Sequence, residues 1–213
     1  MGLEQREGGQ YINILEGKFC IRVPQGTEGS VARVNKLGNT VHEKYYDSFT
    51  GVLVGIKTQD SSYGKNWIFD FQDQGEVYHL QLSYSNSFAK NLLKILPNAD
   101  LTKEMKVQPA QKTEDGKKKS SLFVSQDGVT LKHAYTKDNP NGLPPMVQVM
   151  VKGVQQWDDT DQVEWLRAMV EQHIIPKLPE KKPVAQVPAA QGLQVDQNPL
   201  DADDSVEGDD DDY

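Results

Sequence analysis

Apolar and polar positions alternate along most of the first half of this chain, and the alternation predicts strands. A short apolar run at 11–15 leads into 17–23, where Phe19, Ile21 and Val23 share one face and Lys18, Cys20 and Arg22 the other. The stretch 24–40 (PQGTEGSVARVNKLGNT) has the Gly, Ser and Asn content of a long loop. Strands are expected again at 41–46 and 49–57. In the second, Val52, Val54 and Ile56 face one way, and Gly51 and Gly55 suit a strongly bent strand. The clearest pair follows. Trp67, Phe69 and Phe71 share a face of 66–72, and Tyr78, Leu80, Leu82 and Tyr84 share a face of 76–84, across a turn at Gln72-Asp73-Gln74-Gly75. Period-two patterning on both arms of a hairpin predicts one buried face and one wet face.

The period then changes. At 85–96 (SNSFAKNLLKIL), Phe88, Leu92 and Ile95/Leu96 recur at helical spacing behind cap-type residues, and Pro97 closes the segment. Strand patterns resume at 105–108, 121–125, 129–135 and 146–151, with a basic turn at 112–119 (KTEDGKKK). A second helix is expected over 158–175. Asp158 or Thr160 caps it, acidic residues occupy its first turn as the helix dipole favours, and Pro176 stops it. The expected fold class is mainly β. Five strands roll into an OB-like barrel with a helix inserted after the fourth, and extra strands and a C-terminal helix lie outside it. Residues 1–10 read as a loose lead, 11–176 as the domain and 177–213 as a disordered acidic tail.

Charge sharpens this picture. The net charge of the 213-residue chain is −8, but from Pro183 onward there are nine acidic residues and no Lys or Arg. Residues 1–182 therefore carry 22 acidic against 23 basic side chains. The stretch 201–213 (DADDSVEGDDDDY) repels itself and has too little apolar surface to fold, so a solvated arm is expected. A near-neutral body joined to an anionic arm implies a basic face for which the arm competes. An arm of about 31 residues spans roughly 30 Å, against a radius of gyration of about 16 Å for the body, so it reaches the body it is tied to. The single cysteine, Cys20, allows no internal disulfide and fits a reducing, cytosolic setting. No apolar run of bilayer length and no secretory h-region is present in the sequence, so no membrane association is expected.

No phosphate loop, GxGxxG, GxSxG or HExxH motif is written in the chain, and His42, His79, His133 and His173 fall in different segments. Asp70 and Asp73 are explained by a solvated face and by turn chemistry rather than by a metal. No catalysis, metal or cofactor is expected.

What is present suits single strands, whose sites need cations for the phosphates and aromatic faces for the bases. Arg33, Lys36 and Lys44 precede Tyr45 and Tyr46, of which alternation turns one inward without saying which. Tyr63 sits beside Lys65 at a turn, Lys117, Lys118 and Lys119 form a run, and Lys132, His133 and Tyr135 complete the set. Trp67, Phe69 and Phe71 read as core, and Trp157 and Trp165 as packing residues of the last helix.

The segments YDSFTGVLVGIKTQ (46–59) and WIFDFQDQGEVYHLQLSYSNSFAKNLLKILPN (67–98), with the DDDDY tip, resemble the single-stranded-DNA-binding proteins of tailed phages. In general plan the chain is also similar to the bacterial single-stranded-DNA-binding protein; its last residue is Tyr where Phe is more usual. The resemblance implies an OB-fold and protection of single-stranded DNA in the host cytoplasm during replication and recombination. It also implies recruitment of polymerase or helicase through Asp209, Asp210, Asp211, Asp212 and Tyr213. Duplex DNA or RNA would bind more weakly. Two alternatives stand beside it: a strand-annealing recombination protein, and a protein-only assembly factor using its acidic arm. Oligomeric state is not encoded in any pattern seen here.

Overall fold

The computed structural model describes residues 9–35, 37–62, 64–114 and 117–181, with Lys117 through its backbone alone. Lys36, Tyr63 and the acidic stretch 201–213 lie outside the described residues. Strands β1 (Gln10–Leu15), β2 (Lys18–Val23), β3 (Val31–Val34), β4 (Thr40–Tyr46), β5 (Phe49–Ser61), β6 (Gly64–Asp73) and β7 (Glu76–Ser83) precede helix α1 (Ser87–Ile95). Strands β8 (Met105–Glu114), β9 (Lys117–Gln126) and β10 (Val129–Thr130) follow it, then the hairpin β11 (Val147–Val151) and β12 (Val154–Asp158), then α2 (Thr160–Met169). The fold is mainly β.

Ten strands form one mixed sheet in the order β10-β9-β8-β5-β6-β7-β1-β2-β4-β3, and β11 and β12 pair only with each other. Every neighbouring pair in the large sheet is antiparallel except β1 with β7. No closed barrel is found among the described residues, and the helix follows the seventh strand instead of the fourth. β5 is bent as its glycines foretell. Phe49–Gly51 pairs with β8 while Val52–Ser61 pairs with β6, and the register slips between Leu53 and Gly55. At Gly55 a Cβ would press within 3.2 Å of the Asp70 Cβ and Oδ2, so the residue beside this slip leaves room for the buried Asp70 side chain.

One apolar core lies inside the curl of the sheet. Ile12, Phe19, Leu53, Trp67, Phe69, Phe71, Leu80 and Leu82 come from the strands, and Phe88, Leu92, Leu93 and Ile95 from α1. Each fully buried side chain of this size contributes roughly 1.5–3 kcal/mol over an exposed one. Asn86 caps α1 by accepting from the Phe88 N–H at 2.8 Å, and Lys94 stands in its last turn.

The structure departs from the sequence pattern at several places. The stretch 24–40 contains β3, whose four residues pair with β4. The basic 112–119 segment is two extended hairpin arms, since β8 runs to Glu114 and β9 starts at Lys117. Of 129–135 only Val129–Thr130 is strand. The second helix is regular over Thr160–Met169 and continues through a π turn at Val170–Ile174 into a 3-10 turn at Ile175–Lys177, which takes in Pro176. Leu178, placed in the tail by sequence, packs on the core. The β6–β7 pair has no fully wet face. Behind the core, Ile68, Asp70 and His79 are buried too. There His79 Nδ1 meets Asp70 Oδ1 at 2.6 Å and Lys57 Nζ lies 3.6 Å from Oδ2. Gly9 lies against the His79 ring, where a Cβ would collide with Nε2.

The β1–β2 turn is a tight two-residue loop in which Glu16 and Gly17 both have positive φ, 51° and 74°. A Cβ on Gly17 would lie 2.5 Å from the backbone nitrogen of Gln111 in β8, so the turn seats directly on that strand. Gly17→Ala is therefore expected to lose about 2 kcal/mol or more. The measurement is urea unfolding: the midpoint should fall with the m-value unchanged, and an unaltered midpoint would contradict this packing.

Candidate nucleic-acid interface

The outer face of β2–β4–β3 gathers Cys20, Arg22, Arg33, Glu43 and Tyr45 by cross-strand register, with Cys20 opposite Tyr45 and Arg22 opposite Glu43. Glu43 is 1% exposed. Its carboxylate accepts from Arg33 Nε at 2.9 Å and Nη2 at 2.8 Å, and from the Tyr45 hydroxyl at 2.7 Å, with Arg22 Nε at 3.9 Å. Burial pushes the carboxyl up, but the hydrogen bonds and the two arginine charges outweigh it and hold Glu43 below the usual carboxylate range. Burial and then Glu43 push the Cys20 thiol up to about 12. Arg33 and Tyr45, two of the residues expected to meet nucleic acid, are thus tied to a buried anion. Tyr46, on the opposite face of β4, is the more exposed of the pair at 45%. Lys44 is half-buried on the alternate face of β4.

Lys65 lies elsewhere, its ammonium 4.7 Å from the centroid of the Tyr84 ring, which stacks on Trp67. Lys36 and Tyr63 lie outside the described residues, as does the Lys117 side chain. Lys118 is half-buried on β9.

The remaining expected residues converge. Lys119, Lys132, His133 and Tyr135 line one cleft of about 510 Å³ between α1, β9 and the chain that follows β10. The wall from α1 is Ser87, Lys90, Asn91 and Lys94, the polar stripe opposite Phe88, Leu92 and Ile95 at i, i+3, i+4 and i+7. The wall from β9 is Lys119 to Phe123. Alternation buries Leu122 and Val124 and turns Phe123 outward at 51% exposure. The chain at 131–136 is pinned without regular structure: Ala134 N–H donates to Lys94 O at 2.8 Å, Asn98 Nδ2 to Lys132 O at 2.9 Å, and Leu131 N–H to Val124 O at 2.8 Å.

Four lysines line this cleft and, among the described residues, no carboxylate does. Two carboxylates reach lysines from outside it: Lys90 Nζ donates to Asp159 Oδ2 at 2.7 Å, and Lys119 Nζ lies 3.2 Å from Glu114. Burial first, and then the Lys94 charge, push His133 below the usual imidazole range. Tyr135 is 9% exposed, with its ring set edge-on to Trp165. It closes the floor of the cleft rather than offering a face. The exposed aromatic in the cleft is Phe123.

Lys90, Asn91, Lys94 and Phe123 went unrecognised in the sequence, although each had a signal. The first three are the hydrophilic stripe of an amphipathic helix, and Phe123 is the out-of-phase member of an alternating strand. Trp157 also differs from expectation. It stands on β12, 43% exposed, whereas Trp165 packs as expected. No group of three or more His, Cys, Asp or Glu side chains is placed to hold a metal among the described residues. No helix of the described residues is long and apolar enough to cross a membrane. No family model, curated protein or solved structure matches the chain.

Glu43→Ala would leave two arginines facing a buried, empty position and is expected to cost about 3–5 kcal/mol. A carboxyl held below its ordinary value stabilises the fold above that value, about 4.3, and loses this contribution as pH falls through the lower folded value. Acid unfolding of the wild type should therefore show this loss below about pH 4.3, and Glu43→Gln should flatten that part of the curve. Superimposable acid curves would contradict the assignment.

Proposed function

We propose that this chain is a non-enzymatic single-stranded-DNA-binding protein whose acidic C-terminal stretch competes for the same groove and recruits replication proteins. The observation that carries the reading is the cleft lined by Lys90, Lys94, Lys119 and Lys132 with no carboxylate among its described walls. Such a surface attracts a polyanion by counterion release and steers it inward. Phe123 supplies the exposed ring on which an unpaired base stacks, a contact that a duplex cannot offer because its bases are already stacked. The cleft's mix of lysines and an exposed aromatic ring fits binding with little sequence preference.

The topology supports an OB-like reading as well. β5–β6–β7 curl together, α1 returns the chain to β8 beside β5, and β1 closes on β7 in parallel. In this reading the barrel wall is left open between β2 and β8, with β3, β4, β9 and β10 added at its margins. The stretch 201–213, eight acids and no base, is long enough on its tether to enter the cleft and weak enough to be displaced by a stacked strand.

Fluorescence titration with oligo-dT tests the proposal. Affinity should fall with salt at a log–log slope of about −0.7 per phosphate neutralised, and Lys132→Glu should lower both the affinity and the slope. Phe123→Ala should weaken binding by about 1–3 kcal/mol. Removing 201–213 should tighten binding, most visibly to duplex DNA. A salt-independent affinity, or a truncation that weakens binding, would overturn the reading.

A further inference from the structure

The hairpin β11–β12 pairs with nothing else in the sheet. A two-stranded hairpin is marginal on its own in water, yet this one leaves Met150 71% and Trp157 43% exposed. Gln148 faces Trp157 across the strands and Met150 faces Gln155, so these four side chains share one surface. The Gln155 amide donates to the Gln148 carbonyl and holds the two amides together beside the ring. The tip is a tight turn at Lys152-Gly153, both with positive φ.

One root of the hairpin stands in the wall of the cationic cleft, and the other is tied to that wall from outside. Met146, the residue before β11, lines it. After β12, Asp159 holds Lys90 of the same wall at 2.7 Å, and Gln162 lines the cleft while donating to Pro144 O at 3.1 Å. The hairpin brings one cation, Lys152, and between 147 and 157 no acid. The carboxylates at its base are engaged, Asp158 by Thr160 and Asp159 by Lys90. An anionic strand meets the lysines of the cleft, of which Lys90 is shared with Asp159 and Lys119 with Glu114, and then a hairpin that adds Lys152 and, between 147 and 157, no acid.

We infer that the hairpin is an arm that carries a single nucleic-acid strand out of the cleft, with one unpaired base stacked on Trp157 beside Met150 and the paired glutamine amides. This rests on the nucleic-acid reading of the cleft. Stacking on an indole face is tolerant of base identity, and the amides meet whichever base edge is presented.

The experiment uses the full chain with oligo-dT and with an abasic strand of equal length. Trp157→Ala should weaken oligo-dT binding between about fivefold and 150-fold while leaving the abasic strand's affinity unchanged. Trp157→Phe should keep most of the affinity but lose the quenching of tryptophan fluorescence that binding causes, a readout that persists even where the alanine variant folds poorly. Lys132→Glu should weaken both strands. Unaltered oligo-dT affinity in Trp157→Ala, or full quenching in Trp157→Phe, would sink the arm while leaving the cleft standing. Wild-type protein indifferent to both strands would sink the cleft reading and the arm with it. If Trp157→Ala instead changed sedimentation and not oligo-dT affinity, the hairpin would be a contact between copies, and the inference would be overturned.

Discussion

Helix α1 must keep one face dry, and the site depends on that demand. Phe88, Leu92, Leu93 and Ile95 enter the core beneath the curled sheet, which fixes the rotation of the helix about its own axis. Once that rotation is set, Ser87, Lys90, Asn91 and Lys94 have a single direction left to point. They meet β9 and the chain at 131–136, and the carbonyl of Lys94 anchors Ala134. The cationic wall is thus a consequence of hydrophobic packing: the apolar stripe supplies the free energy, and the polar stripe is held in place by it.

A second constraint governs where other cations of the body are held. Among the described residues, two anions are buried in the sheet, Glu43 and Asp70, and each draws positive or polar side chains to itself. Glu43 engages Arg33, Arg22 and Tyr45; Asp70 engages His79 and Lys57. A buried carboxylate without such partners would be costly, so these groups serve the fold before anything else. The basic residues of the body therefore do not form one continuous groove through Arg33 and Lys44, as their number along the chain suggests. Those in the cleft come instead from α1, β9 and the strand-free segment after β10.

How far the chain was legible depended on the distance over which each element is stabilised. β5, β6 and β7 are visible because Phe69, Phe71, Leu80 and Leu82 alternate strongly, and their hairpins close within a few residues. β3 escaped because VARV is four residues long inside a glycine-rich stretch and owes its form to pairing with β4. β12 escaped because its Gln-Gln-Trp carries no alternation of its own, and Trp157 reads naturally as the start of a helix. The hairpin's separation from the large sheet leaves its tryptophan in solvent.

By itself the sequence determined that the protein is mainly β, that a helix occupies the middle of the chain, and that negative charge is concentrated at one end. These are properties of composition and short-range period, and they survive any arrangement of the parts. Only the tertiary structure decided that β6 is dry on both faces, that Arg33 belongs to Glu43, that Tyr135 is a floor and Phe123 a face, and that four lysines share one cleft. A period shows which side of a strand or helix is apolar, but the atoms lying across from it come from residues tens of positions away.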